Sequence, residues 1–473
     1  MRKHLWIAGK EVETARYRPL YAPYSGDVLA EIAQASEEDV RNAITAAFHV
    51  KDKMKKLSSH ERAQILENVV QLLKENRSEC AMIIAQEAAK PLKTAYLEVD
   101  RTIMTYTFAS QEARRLYGES IPLDAAPGGE NRVTFTKREP IGVVAAITPF
   151  NFPMNLVAHK VGPAIAGGNT VVLKPASQTP LSALKIAELF HEAGLPSGAL
   201  NVVTGSGSII GNALVSDDRI NMVTFTGSYE VGKWIRNHSG MKKVTLELGS
   251  NSACVIDDGV EIDSIIPKIV TGAFTYQGQV CISIQRIYVH KSLYEPFVEK
   301  LIHKTKQLTI GDPLQMETDI SAMIHKNEVK RANEWIQEAV KKGAKIAYGG
   351  NGTESILHPT VLLNVPKDVK VCCEEVFAPI VVIQPFETFE EAIHEVNDSK
   401  YGLQAGVFTN SLANALYAIE ELKVGGVMIN DIPTYRADHM PYGGVKHSGM
   451  GREGIKYALE EMTERKLISF KQI

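Results

Sequence analysis

The sequence predicts an α/β chain built around two doubly wound parallel sheets. In the first half, short β-rich runs, "IGVVAAITP", "NTVVLKP", "LNVVTG", "MVTFTG" and "KVTLELG", alternate with helical segments such as "LSALKIAELFHEAG". Strands alternating with helices imply a parallel sheet covered on both faces. A second series of the same kind runs from "ACVIDD" through "IYVH" and "VVIQPF" to "GGVMIN", which implies a second unit. At 473 residues, 44% hydrophobic and 23% charged, the chain has length for about three domains and apolar material for large cores.

Each element follows from local pattern. The stretch "SHERAQILENVVQLLKENRSECAMIIAQEAAKPL" predicts a helix with a serine cap at Ser59, apolar residues at helical spacing and an end before Pro91. "RVTFTKREP" alternates polar and apolar residues, as a strand with one wet face does. Sheet logic puts the boundary between the two units near Gly249. The adjacent pair Cys372 and Cys373 reads as small buried hydrophobes on a strand, pointing to opposite faces.

Composition removes several classes of function. A formal net charge of -3 offers no basic field for nucleic acid. The longest apolar stretch, "IGVVAAITPF", is about half a bilayer crossing. The start, "MRKHLWIAGKEVET", lacks a secretory core. Five scattered cysteines, odd in number and without zinc spacing, argue against a disulfide framework and against a metal site. The expectation is a cytoplasmic protein that binds neither membrane nor nucleic acid.

In an open parallel sheet ligands bind at the carboxyl ends of the strands, and the unusual residues collect there. Asn151 lies between Phe150 and Phe152, Lys174 and Ser177 close the next strand, Gly227 and Ser228 open a helix, and Glu247 ends "TLELG". Taken singly, each has a structural alternative: a turn, a solvated strand end, a plain strand-to-helix turn. The glycines of "TGSGSIIG" do not reproduce the dinucleotide fingerprint. Glu247 is harder to dismiss, because a carboxylate between Leu246 and Leu248 is costly unless paired or kept for proton transfer. Cys281, in "GQVCIS", taken alone suits burial better than reactivity.

The order TPFNFP, KPAS, FTGS, LELG, GQVC, CCEEVFAPI and MPYGGVKHSGMGRE changes the balance. It closely resembles the NAD(P)-dependent aldehyde dehydrogenase superfamily, over residues 7–470. The resemblance implies a Rossmann-like cofactor domain from residues 1–120 and 140–247, a catalytic domain at 248–442, and bridging segments 121–139 and 443–473. These segments would form a small sheet joining a homodimer or homotetramer; read without the resemblance they are ordinary edge strands.

The resemblance further implies that Cys281 is the nucleophile, Glu247 the general base and Asn151 the oxyanion donor. Phe150, Lys174, Ser177, Gly227, Ser228, Glu375 and Phe377 would bind the dinucleotide, with NADP accepted because Ser177 stands where NAD-preferring relatives often have Glu. The substrate implied is a short polar aldehyde such as lactaldehyde, a glyceraldehyde derivative or a semialdehyde, met by Arg101, His159, Arg436 and His439. Ser250 and Ala378 depart from the family pattern, each replacing a glycine. Two alternatives stand beside this reading: a CoA-acylating dehydrogenase, which generally lacks the base at Glu247, and a catalytically silent binding protein on the same fold.

Overall fold

The computed structural model describes residues 1–472. Its centre is an eight-stranded sheet in the order Gly449–Met450, Lys243–Glu247, Ile220–Thr226, Val143–Ile147, Thr170–Lys174, Leu200–Val202, Leu5–Ile7 and Lys10–Val12. The five strands from Lys243–Glu247 to Leu200–Val202 are parallel, Gly449–Met450 and Leu5–Ile7 run against them, and Lys10–Val12 pairs antiparallel with Leu5–Ile7. Chain order reverses between Val143–Ile147 and Ile220–Thr226, so a crevice opens at the carboxyl ends of those two strands. Fully buried strands such as "VVAAI" and "TVVLK" account for the continuous apolar runs.

A second sheet of seven strands runs in the order Lys345–Tyr348, Thr360–Leu363, Ile380–Phe386, Arg286–His290, Ala253–Ile256, Gln404–Phe408 and Gly426–Ile429. It is parallel apart from Lys345–Tyr348. A long ribbon pairs Arg132–Pro140 with Thr463–Lys471 in antiparallel register from Thr463 opposite Pro140 to Lys471 opposite Arg132. A three-stranded sheet of Arg2–Lys3, Val28–Ala33 and Tyr17–Tyr21 lies outside these, and nothing in the sequence patterning announced it. Among the described residues no helix is long and apolar enough to cross a membrane.

Several local expectations need correction. The long helix expected from Ser59 is two helices, Ser59–Glu75 and Arg77–Ala88, broken at Asn76. Its cap is Ser58, whose hydroxyl accepts from Glu61 N while the Glu61 carboxylate accepts from Ser58 N. Cys372 and Cys373 lie in a single helical turn, Lys370–Cys373, rather than on a strand. Within 443–473, Gly449–Met450 edges the eight-stranded sheet and the helix Ile455–Glu461 packs Ile455 and Leu459 into its core. The ribbon strand proper begins at Thr463.

Candidate active site

Cys281 sits in a turn after the short 3-10 segment Thr275–Gly278. Tyr276, Gln277 and Gly278 all have positive φ there. The turn is tied down from behind: Tyr276 Oη donates to Ala88 O at 2.9 Å, and Gln277 Nε2 donates to Ala322 O at 2.7 Å. Gly278 is needed for more than its φ of +69°, since a Cβ there would lie 2.3 Å from Ala378 O. The cysteine loop therefore presses directly on the loop carrying Glu375 and Phe377.

Two openings meet at Cys281. One is a cavity of about 890 Å³ whose lining includes Arg101, Phe152, Asn155, Arg436 and Tyr442. The other is a narrow cleft bounded by Ser250, Glu375, Phe377 and Ala378. The sulfur lies 2.8 Å from Tyr442 Oη. Burial pushes its thiol up to about 11, opposed by the Tyr442 hydrogen bond and the charge of Arg436.

Asn151 is buried, and its Nδ2 donates to Gln279 O at 3.0 Å, beside the cysteine turn. One amide hydrogen is thus committed and the other left for a ligand. Glu247 ends the strand Lys243–Glu247 with both carboxylate oxygens buried and without a partner. Burial, then repulsion from Glu453, hold its carboxyl well above the ordinary range. Glu453 is the opposite case: Lys160 Nζ at 2.9 Å and Arg436 at 2.9 Å keep it ionised. Two buried acids with opposed environments in one site suit proton transfer by one of them.

Of the residues expected to bind a dinucleotide, Phe150, Lys174, Ser177, Gly227 and Ser228 follow or end strands of the eight-stranded sheet, and Glu375 and Phe377 lie in the loop before the strand Ile380–Phe386. Lys174 is buried with its ammonium on Pro175 O at 3.0 Å and no carboxylate partner among the described residues, and burial lowers it to about 8. Glu375 accepts from Ser250 N at 2.9 Å and is pushed up by burial to about 7. A Cβ on Gly249 would lie 2.6 Å from that carboxylate, so glycine keeps the site open. Phe150 and Phe377 meet edge to face, with centroids 5.8 Å apart. Ser228 opens the helix Tyr229–His238 with its hydroxyl making no cap bond. An unpaired buried ammonium, a protonatable carboxylate and an open helix start fit the hydroxyls and phosphates of a dinucleotide. Ser177 does not cap the helix Pro180–Glu192; its hydroxyl donates to Gly205 O at 3.0 Å, and Glu87 accepts from Leu181 N and Ser182 N at that helix start. Ser250 and Ala378 both lack positive φ, so neither needs the glycine it replaces on backbone grounds.

Of the four expected substrate residues, Arg101 and Arg436 line the cavity beside Cys281. The other two do not. His159 lies within Asn155–Ala166, a helix buried along its whole length, and bonds Asp438 through Nε2 at 3.0 Å. His439 is exposed and packs at a tilt against Phe108, with ring centroids 4.6 Å apart. Every cation of the cavity is paired with an acid: Arg101 with Asp438, Arg436 with Glu453, which it shares with Lys160, Lys93 with Asp319 and Lys268 with Asp431. Sequence reading missed Tyr442, Asp438 and the Lys90–Glu98 pair behind Asn151; a buried charge inside a loop or helix leaves no periodic trace.

A thiol between two clefts, a partnerless buried carboxylate and a dinucleotide-shaped row of donors define a cysteine-dependent oxidoreductase. The chain belongs to the Aldehyde dehydrogenase family, whose model matches residues 6–468. It is an NAD(P)-dependent aldehyde dehydrogenase. It is 48% identical to 3-sulfolactaldehyde dehydrogenase of Priestia aryabhattai, over 98% of this chain and 97% of that one. Aldehyde dehydrogenase 21 from Physcomitrella patens, solved in complex with the reaction product succinate, superposes with a TM-score of 0.98 at 41% identity, covering 100% of this chain and 98% of that one. Glyceraldehyde-3-phosphate dehydrogenase GapN from Methanocaldococcus jannaschii, complexed with NADP, gives 0.93 at 38% identity, covering 97% and 100%.

Proposed function

We propose that Cys281 is the nucleophile, Glu247 the general base and Asn151 the oxyanion donor of this dehydrogenase, acting on a short aldehyde that carries a hydroxyl or an anionic group. The observation that carries the reading is the position of Cys281 on a wall shared by both openings, with the free oxygens of Glu247 buried and unengaged.

The Cys281 thiolate adds to the aldehyde carbon, and the carbonyl oxygen becomes an alkoxide. The free Asn151 amide hydrogen and the Cys281 backbone N–H stabilise it, such donors being worth about 3 kcal/mol each. When bound, the dinucleotide supplies the hydride acceptor that turns this adduct into a thioester. Phe150, Lys174, Ser177, Gly227, Ser228, Glu375 and Phe377 would hold it, its adenosine end at Lys174 and Ser177 and its nicotinamide end at Glu375 and Phe377. Glu247 then takes a proton from the water that attacks the thioester, the C–S bond breaks with its electrons going to sulfur, and the acid leaves. The same base weighs against transfer to coenzyme A.

Substrate choice rests on Arg101 and Arg436, guanidinium groups beside the reacting cysteine, and on relatives named for sulfolactaldehyde and glyceraldehyde 3-phosphate. The ribbon exposes Val133, Phe135, Leu467 and Phe470, and a second copy of this chain covering them, as a homodimer or homotetramer, belongs to the same reading. Unpaired cysteines agree with work in the reducing cytoplasm. The deciding experiment follows reduced-cofactor absorbance over a panel of aldehydes. Lactaldehyde, 3-sulfolactaldehyde and glyceraldehyde 3-phosphate are expected to exceed hexanal and benzaldehyde in kcat/KM; a roughly tenfold preference for hexanal overturns the substrate assignment.

A further inference from the structure

The Cys281 sulfur has a partner that the roles above leave without a task. Tyr442 Oη lies 2.8 Å from it, on a buried ring. That ring is fixed from two directions. Tyr442 N donates to Glu453 O at 3.1 Å and Glu453 N donates back to Tyr442 O at 2.7 Å. The Arg436 guanidinium covers its face, 3.7 Å from the centroid, and is held there by Glu453 at 2.9 Å.

We propose that Tyr442 is a catalytic residue, whose hydroxyl donates a hydrogen bond to Cys281 Sγ in its thiolate form and so favours ionisation of the nucleophile and aims it between the two openings. This deepens the assignment of Cys281 as nucleophile and rests on it.

The charges facing the sulfur show why a donor is needed. Glu247 and Glu375 disfavour a thiolate, as burial does; Arg436 and Tyr442 favour it. Burial also holds the Tyr442 proton far above the ordinary phenol range, so the hydroxyl remains a donor at any working pH. A cation over the ring face draws charge from the oxygen and strengthens that donor. A phenylalanine would fill the same space and leave the thiolate with one cation against two carboxylates.

The bond also changes through the reaction cycle. Once sulfur is bonded to carbon it is a weak acceptor, and the hydroxyl is released. When the thioester C–S bond breaks, the electron pair returns to sulfur and the Tyr442 hydrogen bond forms again. No proton crosses between the two residues, and both attack and departure of the sulfur are favoured.

Tyr442→Phe in the full chain keeps the ring and its packing, and Cys281 alkylation by iodoacetamide, followed by mass spectrometry of its peptide from about pH 6 to about pH 10, reads the thiolate directly. The whole range lies on the acid side of the thiol, where the rate follows the thiolate fraction, and at each pH the rate is expected to fall about tenfold or more. Turnover is expected to lose kcat more than it gains KM. An unchanged alkylation rate across the range overturns the role of Tyr442 and leaves the Cys281 reading standing. Turnover that survives in Cys281→Ser overturns both.

Discussion

Lys90 Nζ donates to the backbone oxygen of Asn151 at 2.6 Å, and its charge is met by Glu98, with both side chains out of reach of water. Glu98 in turn accepts from Met154 N at 2.9 Å and Asn155 N at 3.2 Å, at the start of the helix that follows Asn151. The ammonium also lies 3.8 Å from the centroid of Phe152. One buried ion pair therefore holds the backbone at Asn151 and just after it.

Lys90→Met strands the Glu98 carboxylate, and a buried charge without its partner costs about 3 to 5 kcal/mol. Calorimetry is expected to show a clear fall in Tm. Adding Glu98→Gln removes the charge while keeping an acceptor for Met154 N and Asn155 N, and most of the loss should return. A double variant as unstable as the single one would place the cost elsewhere.

Glu247→Gln should give one burst of reduced cofactor and then stall as thioester. In the wild type, the carboxyl is held protonated above its ordinary range by burial and Glu453, and only the ionised form can take a proton from water. The hydrolytic half-reaction must therefore speed up as pH rises. Stopped-flow absorbance separates burst from steady state, and full steady-state turnover by the variant would mean that another base acts.

Much of this site was legible in the sequence. Asn151, Lys174, Gly227 and Glu247 each end a strand of one parallel sheet, and strand ends can be read from short apolar runs. Cys281 needed its neighbours, because a lone cysteine carries no pattern. What resisted reading was direction. His159 is on a helix that buries every face, so its spacing from Asn151 says nothing about a cavity. His439 and Arg436 are three residues apart in one irregular loop, yet one packs outward against Phe108 and the other covers Tyr442. Loop direction comes from tertiary packing, as does the single turn at Cys372 and Cys373.

Lys174, proposed to hold the dinucleotide, should give cofactor binding a pH dependence. Burial lowers its ammonium to about 8, so the charged donor is present below that value and lost as pH rises through it. Dinucleotide affinity, measured by calorimetric titration, should weaken between about pH 7 and about pH 9. Lys174→Met should weaken binding about tenfold at neutral pH and flatten the profile. A wild-type affinity constant across that range would remove Lys174 from the site.

Ser177 is exposed, with a hydroxyl that reaches Gly205 O. A carboxylate at this position would repel a 2′-phosphate, so Ser177→Glu should move the NADP to NAD ratio of kcat/KM at least about tenfold toward NAD. An unchanged ratio would show that another residue sets the choice.

The pairing of every cavity cation with an acid has a consequence for ionic strength. Arg101, Arg436, Lys93 and Lys268 present hydrogen-bond donors, but Asp438, Glu453, Asp319 and Asp431 cancel their far field. An anionic aldehyde then approaches without long-range attraction and is recognised only on contact. Association should consequently be nearly indifferent to added salt, and selectivity rests on the shape of the guanidinium donors rather than on accumulated positive potential.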